Sequence, residues 1–436
     1  MIHLGDITKI KGDNIPPVDV ITFGSPCQDL SIAGKRAGLS GERSGLFMEA
    51  VRIIKEMREA TNGEYPKYAV WENVPGAFSS NKGEDFRAVL EELARIKEAG
   101  ISIPEPDKSK WAKAGLITGD DWSIAWRTMD AQYWGVPQRR LRISLVLDLT
   151  GGRAGEILFE PESLRGHFAP GITPGQATAG TVENSAGTAD CTDAIPVNLQ
   201  IATRHKSLGE RTGLGVGQAG DAAYTLQEGH EHGVCCPDIV KAYTLKIRSG
   251  CEGGGKGALV QTEKSATDYT AITLHGETVV GADLYNGTLT GDKAVTLTTA
   301  TGQGGANTGP SVIEKIIRWI VRRLTPTECE RLQGYPDGWT DLGSWIDSKG
   351  KTHKDADTPR YKALGNSIAL PQWYYVLGGI ADRLPDNATL GSLFDGIGGF
   401  PYVWAQLHAG RKKLCVWSSE IEEFPIAVTK KWFAGE

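Results

Sequence analysis

The chain has 436 residues, a formal net charge of -6 and seven cysteines, so it is long enough for one large core plus a second unit, and no global positive field marks it as a nucleic-acid binder. No CxxC pair or His spacing suggests zinc, the odd cysteine count suits a reducing compartment, and no run approaches the ~18 apolar residues of a membrane span. These features exclude a disulfide scaffold and a transmembrane protein, and they predict a soluble cytoplasmic chain with no membrane or metal partner.

From Val18 to Leu149, "VDVITFGS" and "KYAVWENV" have the texture of buried strands, "SGLFMEAVRIIKEMREA" between them has apolar residues at helical spacing, and "RISLVLDL" is a further strand. Strand, helix and strand joined by short loops predict an α/β fold built on a parallel, doubly wound sheet. Beyond Thr150 the chain turns rich in Gly, Ala and Thr, and a weak repeat ("AYTLQ" at 223, "AYTLK" at 242, "AITLH" at 271, "NGTLT" at 286, "AVTLT" at 294) favours short strands over disorder. Helical order is expected to resume in "SVIEKIIRWIVRRLTPTECERLQGYPDGW". "LGNSIALPQWYYVLGGIADRL" should form a turn and a helix, "TLGSLFDGIGGF" a strand that ends in a glycine turn opening a helix, "KLCVWSSEI" a strand and "EFPIAVTKKWF" a last helix. Three lengths follow: residues 1–150 and 317–436 carry α/β pieces, and 151–316 form a second, smaller Gly-rich and mostly β domain.

Cys27, in "GSPCQDLSIAG", follows a buried strand, where open α/β sheets place their active sites; it is either a thiolate nucleophile or a small buried apolar residue. Glu72 ends the next strand on the same rim, as an acid able to bond a ring nitrogen or as a cap for the following turn. In "YWGVPQRRLRISLV", Gln138, Arg140 and Arg142 recur at period two, which predicts one strand face suited to bidentate recognition of an anion or base edge, or a solvated edge.

Together these stretches resemble the DNA (cytosine-5) methyltransferases. Pro-Cys-Gln, Glu-Asn-Val and Gln-x-Arg-x-Arg are similar to that family's nucleophile, acid and arginine motifs, "RLTPTECERLQGYPDGW" to its recognition-support motif and "LGNSIALP" to its last motif. "SLFDGIGGF" resembles its first motif. The resemblance covers roughly residues 1–150 and 320–436, and it implies a Rossmann-like methyltransferase fold that takes S-adenosyl-L-methionine as cofactor. Phe394, Gly396, Ile397, Gly398 and Gly399 would surround the methionine part, with Glu420 at the ribose and Asp6 at the adenine, and Asp395, Ile421 and Ile7 as further cofactor-binding candidates. Pro26, Leu46, Asn366 and Ser367 would complete the site. The order departs from the family, because the glycine loop and acidic strand come last; head-to-tail joining of "KKWFAGE" to "MIHLGDI" restores it. The simplest account is a circular permutation.

The family's chemistry implies that a cytosine is flipped out of duplex DNA, that Cys27 attacks C6 and that Glu72 bonds the N3 edge. Arg142 with Arg140 would orient the base carbonyl, and Gln138 would brace the strand. The loop after the nucleophile, with Gln28, Ser31, Lys35, Arg36 and Arg43, is a candidate DNA contact that closes over the flipped base. Target reading would fall to residues 151–316, with Arg204, His205, Lys206, Arg211, Lys246 and Arg248 as candidate contacts, although no helix-turn-helix or zinc pattern occurs there. The expected partners are double-stranded DNA and, in a bacterial or phage restriction-modification or mobile-element setting, a cognate restriction endonuclease; a monomer is expected. Two alternatives stand beside this: RNA (tRNA) cytosine-5 methylation, and an inactive DNA-binding relative.

Overall fold

The computed structural model of the protein describes residues 1–25, 45–104, 106, 110–159, 195–198, 216, 218, 221–226, 232–239, 270–272, 277–283, 288–291 and 311–433. The chain divides into two compact units, one of Met1–Thr181, Asp221–His230 and Thr325–Glu436, the other of Val182–Gly220 and Glu231–Leu324.

The first unit opens with strands β1 (Ile2–His3) and β2 (Val20–Phe23), helix α1 (Gly45–Ala60), strand β3 (Tyr68–Asn73) and helix α2 (Glu84–Ala94). Strands β4 (Ala114–Thr118), β5 (Ser123–Asp130) and β6 (Leu141–Asp148) and the short helix α3 (Ala154–Leu158) follow. The second unit contains β7 (Ile195–Asn198), β8 (His232–Ile239), β9 (Thr270–Ile272), β10 (Glu277–Asp283), β11 (Thr288–Gly291) and β12 (Ser311–Arg323). The chain then returns to the first unit with α4 (Pro326–Gln333), the hairpin β13 (Trp345–Ile346) and β14 (Thr352–His353), α5 (Asp357–Asn366), α6 (Pro371–Ala381), β15 (Leu390–Leu393), α7 (Gly399–Leu407), β16 (Cys415–Ser419) and α8 (Glu423–Phe433).

The first unit's large sheet has the order β1-β16-β15-β2-β3-β6-β5-β4. Strands β1, β16, β15, β2 and β3 run parallel, as the sequence predicts, whereas β6, β5 and β4 are antiparallel. The difference has a simple cause: residues 131–140 alone join β5 to β6, which is too short for a parallel crossover of a dozen or more residues. Strands β4 and β5 had no counterpart in the sequence reading. The first unit is an α/β Rossmann-like fold, a large mixed sheet with helices packed against it.

Buried Phe47, Ile53, Ile54 and Met57 of α1 and Phe86, Val89, Leu90 and Leu93 of α2 meet Phe23 and Trp71 of the sheet in one continuous core. Trp71 is fully buried between Phe47, edge-on at 6.0 Å, and Phe86, stacked at 6.2 Å. Each such side chain contributes about 1.5–3 kcal/mol by burial. The late strands are tied to the early ones by polar contacts as well. Asp19 accepts from the Thr389 amide at 2.9 Å and from Lys67 Nζ at 2.7 Å, which pins the starts of β15, β2 and β3 in register. At the other flank the Ser419 hydroxyl donates to the Gly5 carbonyl at 2.7 Å, and Trp417 Nε1 donates to the Pro16 carbonyl at 2.8 Å. Strand β15 therefore enters the middle of the sheet, between β16 and β2.

In the second unit, β12 pairs antiparallel with β8, β9 and β10. This corrects the helix expected over Ser311–Arg323. Its β-branched run, Val312, Ile313, Ile316, Ile317, Ile320 and Val321, favours a strand, and pairing along both edges outweighs the helical spacing of the same residues. Two of the repeat stretches overlap strands β9 and β11; those at 242 and 294 lie outside the described residues. The stretch at 223 is no strand: Ala223 forms an isolated bridge with Gln138 in the first unit.

Candidate functional site

The carboxyl ends of the five parallel strands define one edge, because the register sets Leu393 beside both Phe23 and Ser419, Phe23 beside Trp71, and His3 beside Ser418. β15 lies where strand order reverses, since the chain continues from it through α7 to β16 on one side while β2 lies on the other. Open α/β sheets bind ligands at that point.

The glycine turn leaves β15 there. Phe394 adopts φ +55°, a conformation that costs a non-glycine residue about 1–3 kcal/mol and persists only where the surrounding structure over-determines it. The Asp395 amide donates to the Ser419 carbonyl at 3.0 Å, and the Gly396 amide to Glu420 Oε2 at 2.9 Å. Gly398 caps α7 at φ +80°, which only glycine adopts cheaply. Gly399 is needed for closeness instead: a Cβ there would lie 2.5 Å from Tyr335 Oη and 2.7 Å from Ile368 Cγ1. Ile397 is fully buried and its carbonyl accepts from Trp339 Nε1 at 2.9 Å, so its side chain belongs to the core.

Acidic groups surround the turn. Glu420 Oε1 accepts from the Ile421 amide at 2.7 Å and the Glu422 amide at 2.9 Å, and Ile421 is 69% exposed beside it. Asp6, off the neighbouring strand β1, accepts from the Thr8 amide and hydroxyl, which lower its pKa. Ile7 is buried in the core and Leu46 packs partly buried against that core. Asp395 is 6% exposed, and neither of its carboxylate oxygens has a hydrogen-bond partner. Burial is the main cause that raises its pKa to about 8, opposed by the nearby Ser392 hydroxyl and reinforced by the charge on Glu420.

On the other side of the reversal, Ser25 follows the end of β2 and its hydroxyl accepts from Trp71 Nε1 at 3.1 Å and Asn73 Nδ2 at 3.3 Å. Glu72, at the end of β3, pairs with Arg142 of β6 at 3.0 Å, and both side chains are about 85% buried (15% and 14% exposed). A Cβ on Gly24 would come within 3.4 Å of Glu72 Oε2, so the carboxylate lies over the chain that leads to Cys27.

Arg140 departs from its expected place. β6 begins at Leu141, so the period of two does not extend back to it, and Gln138 and Arg140 are buried outside the strand. The Arg140 guanidinium donates to the Leu226 carbonyl at 3.2 Å and to the Ser367 carbonyl, which makes it a brace and leaves Arg142 as the arginine on Glu72. The Gln138 side-chain amide is buried with no hydrogen-bond partner. Ser367 is likewise buried, whereas Asn366 ends α5 exposed. Pro26, Cys27, Gln28, Ser31, Lys35, Arg36, Arg43, Arg204, His205, Lys206, Arg211, Lys246 and Arg248 lie outside the described residues.

Residues 1–103, from β1 through the acid strand, match the family model of C-5 cytosine-specific DNA methylases. That stretch is thus similar to the DNA cytosine-5 methyltransferases. Among curated relatives of the chain, the DNA N-6-adenine-methyltransferase of Escherichia phage P1 is 30% identical over 439 aligned positions, which cover 88% of this chain and 55% of that protein. The Type II methyltransferase M.BsuFI of Bacillus subtilis is 35% identical over 142 positions, 33% of this chain and 27% of that one. The Type II methyltransferase M.AquIA of Picosynechococcus is 31% identical over 171 positions, 37% of this chain and 58% of that one. The chain thus spans between about a quarter and just over half of the length of these relatives.

The cofactor this family implies, S-adenosyl-L-methionine, fits the site. Its cationic end suits a turn with an unpartnered buried carboxylate at Asp395, its ribose diol suits Glu420, and an adenine ring suits the exposed apolar Ile421. Sequence reasoning passed over Ser25 and Asp19, and it assigned Tyr335 and Trp339 to recognition support without foreseeing that both touch the glycine turn. The only available signal was the small, polar and aromatic content of these stretches, which names no partner.

Proposed function

We propose that the protein is a DNA cytosine-5 methyltransferase whose motif order is circularly permuted, transferring the methyl group of S-adenosyl-L-methionine to C5 of a cytosine in duplex DNA. The observation that carries this reading is the Glu72–Arg142 pair, held at 3.0 Å on the edge where the chain leaves for Cys27 and next to the strand that carries the glycine turn. The position of β15 and β16 between β1 and β2, and the 3.4 Å approach of the Met1 amine to the Phe433 carbonyl, support the permutation.

A stacked cytosine is out of reach, so the base is flipped into the edge between β2 and β3. The Cys27 thiolate adds to C6, forming the carbon–sulfur bond, while Glu72 hydrogen-bonds the N3 edge and offsets the charge that the ring acquires. Arg142 keeps Glu72 oriented and is placed to bond the base carbonyl. S-adenosyl-L-methionine held at the glycine turn would supply an electrophilic methyl group for C5, its sulfonium leaving as the neutral thioether when the sulfur–methyl bond breaks. Loss of the C5 proton then returns its electron pair to the ring and expels the Cys27 thiolate, leaving 5-methylcytosine. Glu420 and Asp6 hold the adenosine part, and Asp395 faces its cationic end. The strand-rich second unit reads the duplex, the chain acts as a monomer, and a cognate restriction endonuclease is its partner in a restriction-modification or mobile-element setting.

The name of the phage P1 relative raises a second reading, methylation of adenine N6. Nearly half of that relative has no counterpart in this chain, and an exocyclic amine is itself nucleophilic, so it needs no thiolate. Nucleoside mass spectrometry of mixed-sequence duplex DNA, incubated with protein and labelled cofactor, separates the two. We expect labelled 5-methyldeoxycytidine, abolished by Cys27→Ser. Labelled N6-methyldeoxyadenosine unaffected by Cys27→Ser overturns the proposal.

A further inference from the structure

Four buried contacts join parts of the first unit that are far apart in sequence and have no other evident reason to meet. Arg140 donates to the Ser367 carbonyl. The Ser367 hydroxyl shares a 2.5 Å hydrogen bond with Tyr335 Oη. Tyr335 presses that same oxygen against Gly399, where a Cβ would intrude to 2.5 Å. Its ring packs on Trp339 at 5.5 Å, and Trp339 Nε1 holds the Ile397 carbonyl at 2.9 Å. Burial raises the Tyr335 pKa, so its hydroxyl stays protonated and available for the bond to Ser367.

We propose that Arg140, Ser367 and Tyr335 form a positioning relay that fixes the glycine turn relative to the arginine strand, so that Arg140 controls cofactor binding and does not read the base. The chain of contacts starts two residues before Arg142, the partner of Glu72, and ends on the first residue of α7. It therefore links the base edge with the turn across the reversal in strand order. The guanidinium is buried and its two terminal nitrogens are each held by a backbone carbonyl from a different part of the chain, an arrangement in which its planar fork is well suited to holding two chain segments at a set distance. Arg140, Ser367 and Tyr335 are positioning residues; the proposal rests on the glycine turn being the cofactor site.

The test compares Tyr335→Phe, Arg140→Lys and Arg142→Ala in the full chain. Removing only the Tyr335 hydroxyl should raise the Kd and KM for S-adenosylmethionine about fivefold, the equivalent of one hydrogen bond, and leave the duplex KM unchanged. Arg140→Lys should do the same, and the two changes combined should be less than additive, because they act through one chain of contacts. Arg142→Ala should instead lower kcat with cofactor affinity intact. Cofactor affinity unchanged in Tyr335→Phe, or full additivity of the pair, overturns the relay. Hydrogen exchange without any ligand separates this from failure of the functional reading: Tyr335→Phe should speed exchange at the amides of residues 395–399. Unchanged exchange there refutes the relay even if the wild type binds cofactor, whereas faster exchange in Tyr335→Phe alongside a wild type that binds no cofactor refutes only the assignment of the turn to that ligand.

Discussion

Asp395→Asn tests whether the glycine turn stores an uncompensated acid. The Asp395 carboxyl is buried with both oxygens unpartnered and titrates near pH 8, chiefly because burial disfavours its charge. In the unfolded chain it titrates near 4, so between pH 4 and 8 the folded protein holds a proton that the unfolded one has released. Stability is then fully present below pH 4 and falls as pH rises from there to the folded value, by about 1.4 kcal/mol per pH unit and on the order of 6 kcal/mol in all. Asparagine keeps the shape and cannot ionise. Its stability relative to wild type should therefore climb with pH across that window and level off above it. Urea unfolding followed by tryptophan fluorescence at half-unit steps from pH 4.5 to about 8.5 measures the difference directly. A difference that stays constant with pH would show that the carboxyl is paired or hydrated in solution, and the argument that it awaits a cation would fail with it.

Three other outcomes follow from the geometry. At pH 7, calorimetric titration of S-adenosylmethionine in two buffers of different ionisation enthalpy should report release of up to about 0.9 proton per site, lost in Asp395→Asn; equal release by both proteins refutes contact between the cation and this carboxyl. Glu420→Ala removes the acceptor for the Gly396, Ile421 and Glu422 amides, and with charge-assisted bonds worth about 1.5–3 kcal/mol each it should weaken cofactor binding at least tenfold; unchanged affinity by calorimetry counts against the ribose assignment. Arg142→Ala strips Glu72 of its 3.0 Å partner and should slow methyl transfer by about 10²-fold or more, as read in single-turnover assays with labelled cofactor.

The strands of the first unit were legible because a parallel strand buried on both faces must be nearly all apolar, and "VITF", "YAVWEN" and "CVWSS" stand out between small and turn-forming residues. The same logic failed at Ser311–Arg323, where apolar pairs recur at helical spacing in residues that also suit a strand. Only the neighbours β8, β9 and β10 decide between the two, and they lie elsewhere in the sequence. Arg140 was misplaced for a different reason. Period two holds only inside a strand, and Pro137, which lacks an amide to donate, precedes a segment whose residue Arg139 bonds the Ala223 carbonyl away from the sheet. Local spacing cannot reveal where a strand begins when a distant segment supplies the hydrogen bonds that divert it.

The glycine turn shows the same limit from the opposite side. Its residues announce a ligand turn, but they do not say what keeps it in shape, and that work is divided among Ser419 and Glu420 from β16, Trp339 and Tyr335 from the stretch after α4, and Ser367 after α5. A relinked chain tests how far this support depends on chain order. If Phe433 is joined to Met1 through the terminal residues and new ends are opened in "DRLPDNAT", the turn comes first and the nucleophile, acid and arginine stretches follow in family order. None of the contacts named above involves residues 382–388, and the Phe433 carbonyl already lies 3.4 Å from the Met1 amine. Such a chain should unfold at the same urea concentration to within about 0.3 M, as expected when ΔΔG stays within ~0.5 kcal/mol, and should methylate the same base in the same sequence context. If the relinked chain folds but methylates nothing while the original does, the order of the chain itself contributes to the site, and the reading of the two ends as halves of one ordinary sheet is wrong.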